Sequence, residues 1–297
     1  MEQSPLRGRV VVITGAARGI GAELAGQLAA RGARLALLGL EPAELAAVAD
    51  RCGGAWWEVD VTDGARLATV AAEVADRLGP AEVVVANAGI GVAGSFRDAA
   101  PAAFDRVIEV NVLGSVRTAR AFLPQLLDRR GYLLQIASLA ALTPMPLGAA
   151  YGASKAAVDS YAHAVRLELA GHRVGVGVAY LSWVDTDLVR GADAVPGMAG
   201  HRSRLPFPFN RTSPVPAAVA RLVAGIERRA SHIYAPAWVG ALLPVRGLLP
   251  ALAARAAGRQ AAAGEAAMRA AGADLSRPIG AGGHADHLHR SAAASSG

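Results

Sequence analysis

The chain has 297 residues, 53% hydrophobic and 18% charged, with a formal net charge of +6; this length allows one large α/β domain or two small ones, and the apolar fraction is ample for a sizeable core. Cys52 is the single cysteine, which excludes an internal disulfide, and Met1–Arg9 lacks the apolar run of a signal peptide, so a cytoplasmic protein is expected. The arginines are scattered among acidic residues, which argues against nucleic acid as a partner despite the positive charge.

From residue 10 onward, short aliphatic or β-branched runs alternate with Ala-rich stretches of helical period, the pattern of a parallel sheet covered on both faces. Strands are expected at Val10–Thr14, Leu35–Leu38, Ala55–Val59, Val83–Ala86, Tyr132–Ala137, Val174–Tyr180 and His232–Tyr234. Helices are expected at Ile20–Ala30, Pro42–Arg51, Ala65–Leu78, Pro101–Arg129, Tyr151–Leu169 and Pro214–Arg229. Gly191–Ser213, rich in glycine and proline, reads as a lid or binding loop. Trp238–Leu252 is strongly apolar but interrupted by Pro244, Arg246 and Pro250, too short and broken for a transmembrane segment. Packing on the sheet edge or on another subunit is its expected role, with peripheral membrane contact as the other reading. The expected organisation is one domain over 1–270, with 236–270 a helical extension and 271–297, rich in Ala, Gly, Ser and His, a disordered tail. His284, His287 and His289 lie in that tail without acidic partners in an ordered frame, so no metal is expected.

The first strand runs into Thr14-Gly15-Ala16-Ala17-Arg18-Gly19-Ile20-Gly21 and then a helix. Glycines let the backbone turn tightly and approach an anion there, while free N–H groups and the helix dipole attract it, so the turn suits a pyrophosphate. Asp60, after the third strand, suits either an adenine amino group or a turn or helix cap. Asn87-Ala88-Gly89 ends the fourth strand and Ser138 the fifth, at the sheet edge where open α/β sheets bind ligands.

Lys155 is the only lysine; the other 29 of the 30 Lys+Arg residues are arginine. It follows Tyr151 by four residues, one helical turn, where a fixed ammonium would favour the tyrosinate and lower the phenol's pKa.

These motifs, in this order and joined by Asn111, make residues 7–235 resemble the short-chain dehydrogenase/reductase family. The resemblance implies a Rossmann-type doubly wound α/β sheet of order 3-2-1-4-5-6-7, helices on both faces, and hydride transfer between NAD(P)(H) and an alcohol or carbonyl. It implies Tyr151 as general acid or base, Lys155 holding the nicotinamide ribose and lowering the Tyr151 pKa, Ser138 donating to the substrate oxygen, and Asn111 holding a water that relays protons. For Asn111, a satisfied polar residue between helices is the other reading. The implied cofactor contacts are Thr14, Gly15, Arg18, Gly19, Ile20, Gly21, Glu41, Asp60, Val61, Asn87, Ala88, Gly89, Tyr151, Lys155, Val184 and Thr186. A homodimer or homotetramer through the two long helices is also implied. A rival from another class is a dinucleotide-sensing or scaffold protein without turnover.

The family's Pro-Gly after the sixth strand is replaced here by Leu181-Ser182-Trp183-Val184, so an altered entrance is expected, with Trp183 either a pocket wall or a loop anchor. The end of the second strand leaves NAD or NADP undecided: Arg18 would attract a 2′-phosphate and Glu41 would repel it or cap the helix at Pro42. Between Ser138 and Tyr151 the chain is nearly all apolar, and Gly91, Val92 and Phe96 are expected to add to the lining, which points to a hydrophobic ketone or secondary alcohol.

Overall fold

A computed structural model describes residues 4–200 and 202–295. Seven strands, β1 (Val10–Thr14), β2 (Arg34–Gly39), β3 (Ala55–Glu58), β4 (Val83–Ala86), β5 (Tyr132–Ile136), β6 (Gly175–Leu181) and β7 (His232–Ala235), form one sheet in the order 3-2-1-4-5-6-7. All six pairings are parallel; Val12 lies opposite Ala36 on one side and Val84 on the other. Period-two alternation divides each strand between two cores. Val10, Val12, Leu38 and Val84 face one, while Val11, Ile13, Leu37 and Val85 face the other. Each such side chain contributes roughly 1.5–3 kcal/mol of burial, which is why strands buried on both faces read as unbroken aliphatic runs.

Helices α1 (Gly19–Ala29), α2 (Pro42–Cys52) and α8 (Val215–Glu227) close one face. Across the sheet lie α3 (Gly64–Leu78), α4 (Pro101–Ile108), α5 (Ser115–Arg129) and α6 (Ala149–Leu169). Because the chain leaves β1 for β2 on one side and later returns to place β4 on the other, the carboxyl ends of β1 and β4 part and open a crevice. The candidate site lies there.

Three departures from the sequence reading bear on function. The helix expected over Pro101–Arg129 contains a π-helical stretch, Glu109–Gly114, between α4 and α5. One extra residue per turn breaks the i→i−4 ladder and turns Asn111 into the interior, where it is fully buried. The Gly191–Ser213 segment begins in a helix, α7 (Asp187–Ala194), and includes a short 3-10 turn at Arg202–Arg204. Beyond β7, a 3-10 stretch at Ala237–Val245 precedes α9 (Leu249–Ala270); Val239 is fully buried, and Trp238, Leu242, Leu243 and Leu249 pack on the core.

The tail expected to be disordered is corrected: Gly280–Ser295 forms α10, which packs on α7. Composition could not signal it, because what holds it is specific. The Ile279 N–H donates to the Gly91 carbonyl at 2.8 Å, and Asp286 forms a buried ion pair with Arg106, 180 residues earlier.

Candidate active site

Thr14 organises the crevice from below. Its Oγ1 accepts from the Asn87 and Ala88 N–H groups at 3.0 and 3.1 Å, fastening the ends of β1 and β4 together. The Asn87 amide nitrogen donates to the carbonyls of Thr14 and Gly15 at 2.9 and 3.1 Å. Gly15 takes φ +63°, and a Cβ on Gly21 would stand 2.2 Å from the Gly15 carbonyl, so the turn closes only with glycine at both positions. Arg18, the residue capping α1, makes no side-chain bond to the helix, leaving its first N–H groups for an anion. Thr14, Gly21 and Asn111 thus support the site from behind, whereas Gly15, Arg18, Gly19, Ile20, Asn87, Ala88 and Gly89 line a cleft of about 1350 Å³, open mouth included.

The same cleft reaches Ser138, Tyr151 and Lys155. Ser138 ends β5; its Oγ accepts from the Ala140 N–H at 3.1 Å and reaches the Leu181 carbonyl at 3.4 Å, which fixes the hydroxyl at the strand terminus. Lys155 is buried on α6, its Nζ donating to the Ile136 carbonyl at 2.8 Å and lying 5.7 Å from the centre of the Tyr151 ring. Burial brings its pKa down to about 8. The Tyr151 phenol is raised by burial and drawn part of the way back by the Ser138 hydroxyl. The lowering expected from Lys155 is therefore not the dominant influence: desolvation of the phenol is larger, and the ammonium that would oppose it is itself desolvated.

Asn111 brackets the loop after β4 to α6. Its Oδ1 accepts from the Ile90 N–H at 2.8 Å; its Nδ2 donates to the Ile90 carbonyl and to Ser154 Oγ, both at 2.9 Å. The satisfied polar contact is the geometry observed for this side chain.

At the far end of the cleft, Asp60 accepts from the Thr62 N–H and from Arg106 Nη2, both at 2.8 Å. Burial pushes its pKa up, but these donors more than offset it and hold the carboxyl below its ordinary value. Asp60 thus makes the contact of a turn residue while it also lines the cleft, and Asp63 caps α3. Sequence reasoning missed Arg106 altogether; it is an arginine inside an otherwise ordinary helical pattern. Arg18 and Glu41, weighed as rivals, bond to each other, with Arg18 Nε donating to Glu41 Oε2 at 3.0 Å. Glu44 at 3.6 Å and Asp187 at 3.7 Å complete a ring of carboxylates about that guanidinium. Glu41 makes no side-chain cap to α2. Val61, Val184 and Thr186 line the cleft, and Thr186 caps α7.

A second cavity of about 1260 Å³, open mouth included, lies beyond Ser138 and Tyr151, which border both spaces. Its walls include Val92, Met145, Trp183, Met198 and Phe209, with no charged side chain among the described lining residues. The Gly191–Ser213 segment supplies Met198, Leu205 and Phe209 to it, and Trp183 stands as a wall with Arg202 over its ring at 5.9 Å. Phe96, expected in this lining, is 82% exposed and borders a separate depression beside Phe104. Sequence proximity to Gly91 was no guide to its direction.

Comparison with known proteins places this arrangement. A family model for the short chain dehydrogenases matches residues 9–195. Probable oxidoreductase EphD of Mycobacterium tuberculosis is 36% identical over 187 residues, 61% of this chain and 32% of that protein. Dehydrogenase/reductase SDR family member 7B of Bos taurus is 34% identical over 195 residues, 62% of this chain and 60% of that protein. An uncharacterized oxidoreductase of Staphylococcus epidermidis is 33% identical over 190 residues, covering 62% and 82%. The matched region therefore spans about a third of the first relative and less than two thirds of the second. Among solved structures, that of gox2181 superposes with a TM-score of 0.72 at 22% identity, over 77% of this chain and 95% of that one, a likeness of fold.

Proposed function

This chain belongs to the short-chain dehydrogenase family, and we propose that it moves a hydride between NAD(H) and a hydrophobic secondary alcohol or ketone. The observation that carries the reading is the convergence of Ser138, Tyr151 and Lys155 where a glycine-turned cleft meets an apolar cavity without charged walls. The chain's residues fit a dinucleotide: the Gly15–Gly21 turn and the free end of α1 would hold the pyrophosphate, Lys155 the nicotinamide ribose, and Val184 and Thr186 the carboxamide. When bound, the nicotinamide supplies or accepts the hydride.

In the direction of reduction, the Tyr151 phenol donates its proton to the carbonyl oxygen, and the Ser138 hydroxyl donates a hydrogen bond to the same atom as charge develops there. A phenol raised by burial keeps its proton at neutral pH, so the proton to be donated is in place. The Lys155 ammonium then stabilises the tyrosinate that remains. Asn111 acts as a positioning residue, setting the loop after β4 against α6. NAD is favoured over NADP because Arg18, the cation nearest the turn, is already ringed by Glu41, Glu44 and Asp187, and a 2′-phosphate would meet their charge.

Two further parts of the reading concern partners. Leu113, Leu127 and Leu167 stay exposed on and beside α5 and α6, which suits pairing of two or four copies through those helices. Phe207 stays exposed with Arg211 over its ring at 5.5 Å, and Val245, Leu248 and Leu252 stay exposed in the segment beyond β7, which suits contact with an anionic lipid surface. No helix among the described residues is long and apolar enough to cross a membrane. The test of the central reading is loss of reduced-nicotinamide absorbance with a panel of apolar ketones set against charged ones. Turnover of the charged ketones alone would refute the substrate class, and binding of neither NADH nor NADPH would refute the activity.

A further inference from the structure

The helix α10 lies outside residues 9–195, the stretch the family model matches, yet Ile279, Gly282, Gly283, Ala285 and Asp286 all line the cleft of the glycine turn. Its attachment is built from buried charge. Asp286 is 2% exposed and Arg106 4%. Arg106 Nε reaches the two Asp286 oxygens at 3.0 and 3.2 Å, and Nη2 reaches Oδ1 at 2.5 Å. The same guanidinium donates to Asp60 Oδ2 at 2.8 Å and to Thr62 Oγ1 at 3.1 Å, so it joins α10 directly to the Asp60 end of the cleft. A carboxylate removed from water in this way costs several kcal/mol unless a fork of donors receives it. The tail therefore docks at one defined place. The first residue of the helix is fixed as well: Gly280 takes φ +76° and sits so close to the Asp187 carbonyl that a Cβ would be 2.8 Å away.

The helix covers the cleft without filling it. About 1350 Å³, open mouth included, stays free around it. Gly282 borders that space, and a Cβ added there would meet nothing within 4 Å. We propose that α10 is a strap over the dinucleotide site, latched by Asp286 to Arg106, which swings open to admit the dinucleotide and closes over it. The proposal rests on the reading of the cleft as a dinucleotide site. Asp286 is then a positioning residue, and Gly282 is small because the bound molecule passes beneath it.

Two substitutions in the full chain separate strap from bystander. Gly282→Leu adds a side chain at the border of the cleft, where a Cβ meets no protein atom within 4 Å, so the melting temperature changes little while NADH affinity, read by nicotinamide fluorescence, falls by about tenfold or more. Asp286→Ala unlatches the strap but leaves Arg106 paired with Asp60 and Glu109, so the protein folds and stopped-flow release of NADH quickens by about tenfold. In the wild type, NADH slows amide hydrogen exchange across 280–295. Leu288→Ala, on an exposed position of the same helix, leaves affinity unchanged. Wild-type binding with both variants unaltered would overturn the strap alone; tighter binding by Asp286→Ala would overturn it in favour of a plug. A wild type that binds neither NADH nor NADPH would overturn the dinucleotide reading and the strap with it.

Discussion

Lys155 holds a charge that the fold pays to keep, and replacing it with methionine measures how much. Desolvation brings its pKa from the ordinary 10.5 to about 8. With each tenfold change in proton affinity worth about 1.4 kcal/mol, the buried ammonium costs about 3 kcal/mol at pH 7. Lys155→Met removes that cost but also the 2.8 Å bond to the Ile136 carbonyl, worth about 1 kcal/mol. The variant is therefore expected to be about 2 kcal/mol more stable at pH 7, with turnover lost. The sign reverses with pH. Between pH 8 and 10.5 the unfolded chain binds the lysine's proton and the native chain does not, so wild-type stability rises there while that of the variant does not. The difference between the two proteins shrinks through this window and closes, or changes sign, above it. The tyrosines raised by burial lose stability at high pH in both proteins and cancel from the comparison. The assay is urea denaturation followed by tryptophan fluorescence, at intervals from pH 6.5 upward. A methionine variant less stable at pH 7, or a difference that does not vary with pH, would refute the reasoning.

Tyr151→Phe should abolish turnover while NADH affinity stays within about threefold, because only the proton donor is lost; retained turnover would assign the proton to another group. Glu41→Ser releases Arg18 from its main partner and should shift the ratio of NADPH to NADH affinity toward NADPH by about tenfold; an unchanged ratio would show that Arg18 lies away from the ribose. The Gln135 carboxamide is fully buried in β5 with neither polar atom partnered, so Gln135→Leu should raise stability by about 1–3 kcal/mol; a loss would reveal a partner such as buried water. Replacing Phe207, Leu248 and Leu252 together with glutamate should prevent flotation with anionic vesicles while leaving turnover of a soluble ketone intact; equal flotation of variant and wild type would dismiss the lipid surface.

What the sequence made legible is what local pattern encodes. β1 and β4 are buried on both faces, so they appear as runs of valine and isoleucine that no amphipathic helix would show. The glycine turn was legible for a similar reason: a positive φ at Gly15 and close packing at Gly21 exclude other residues. Lys155 was legible through contrast, a lone ammonium in an arginine-rich chain.

What stayed hidden is what a distant partner decides. Arg18 and Glu41 were each weighed against a phosphate, when the nearer influence was the other side chain. The pKa of Tyr151 was expected to follow Lys155, a residue visible one turn away, but burial by elements remote in the chain moves it the other way. The tail is the extreme case. A stretch with few large apolar residues cannot bury enough surface to order itself, and its composition signals nothing further. The Arg106 donors around Asp286 fix where the helix docks, while Leu275 and Ile279 pack on a buried cluster and the Ile279 N–H holds the Gly91 carbonyl. The ordering of α10 is thus a property of the cleft as much as of the tail. A mutation at Arg106, far from the tail in sequence, would strand Asp60 and Asp286 together, and its effect should reach the dinucleotide site and the strap at once.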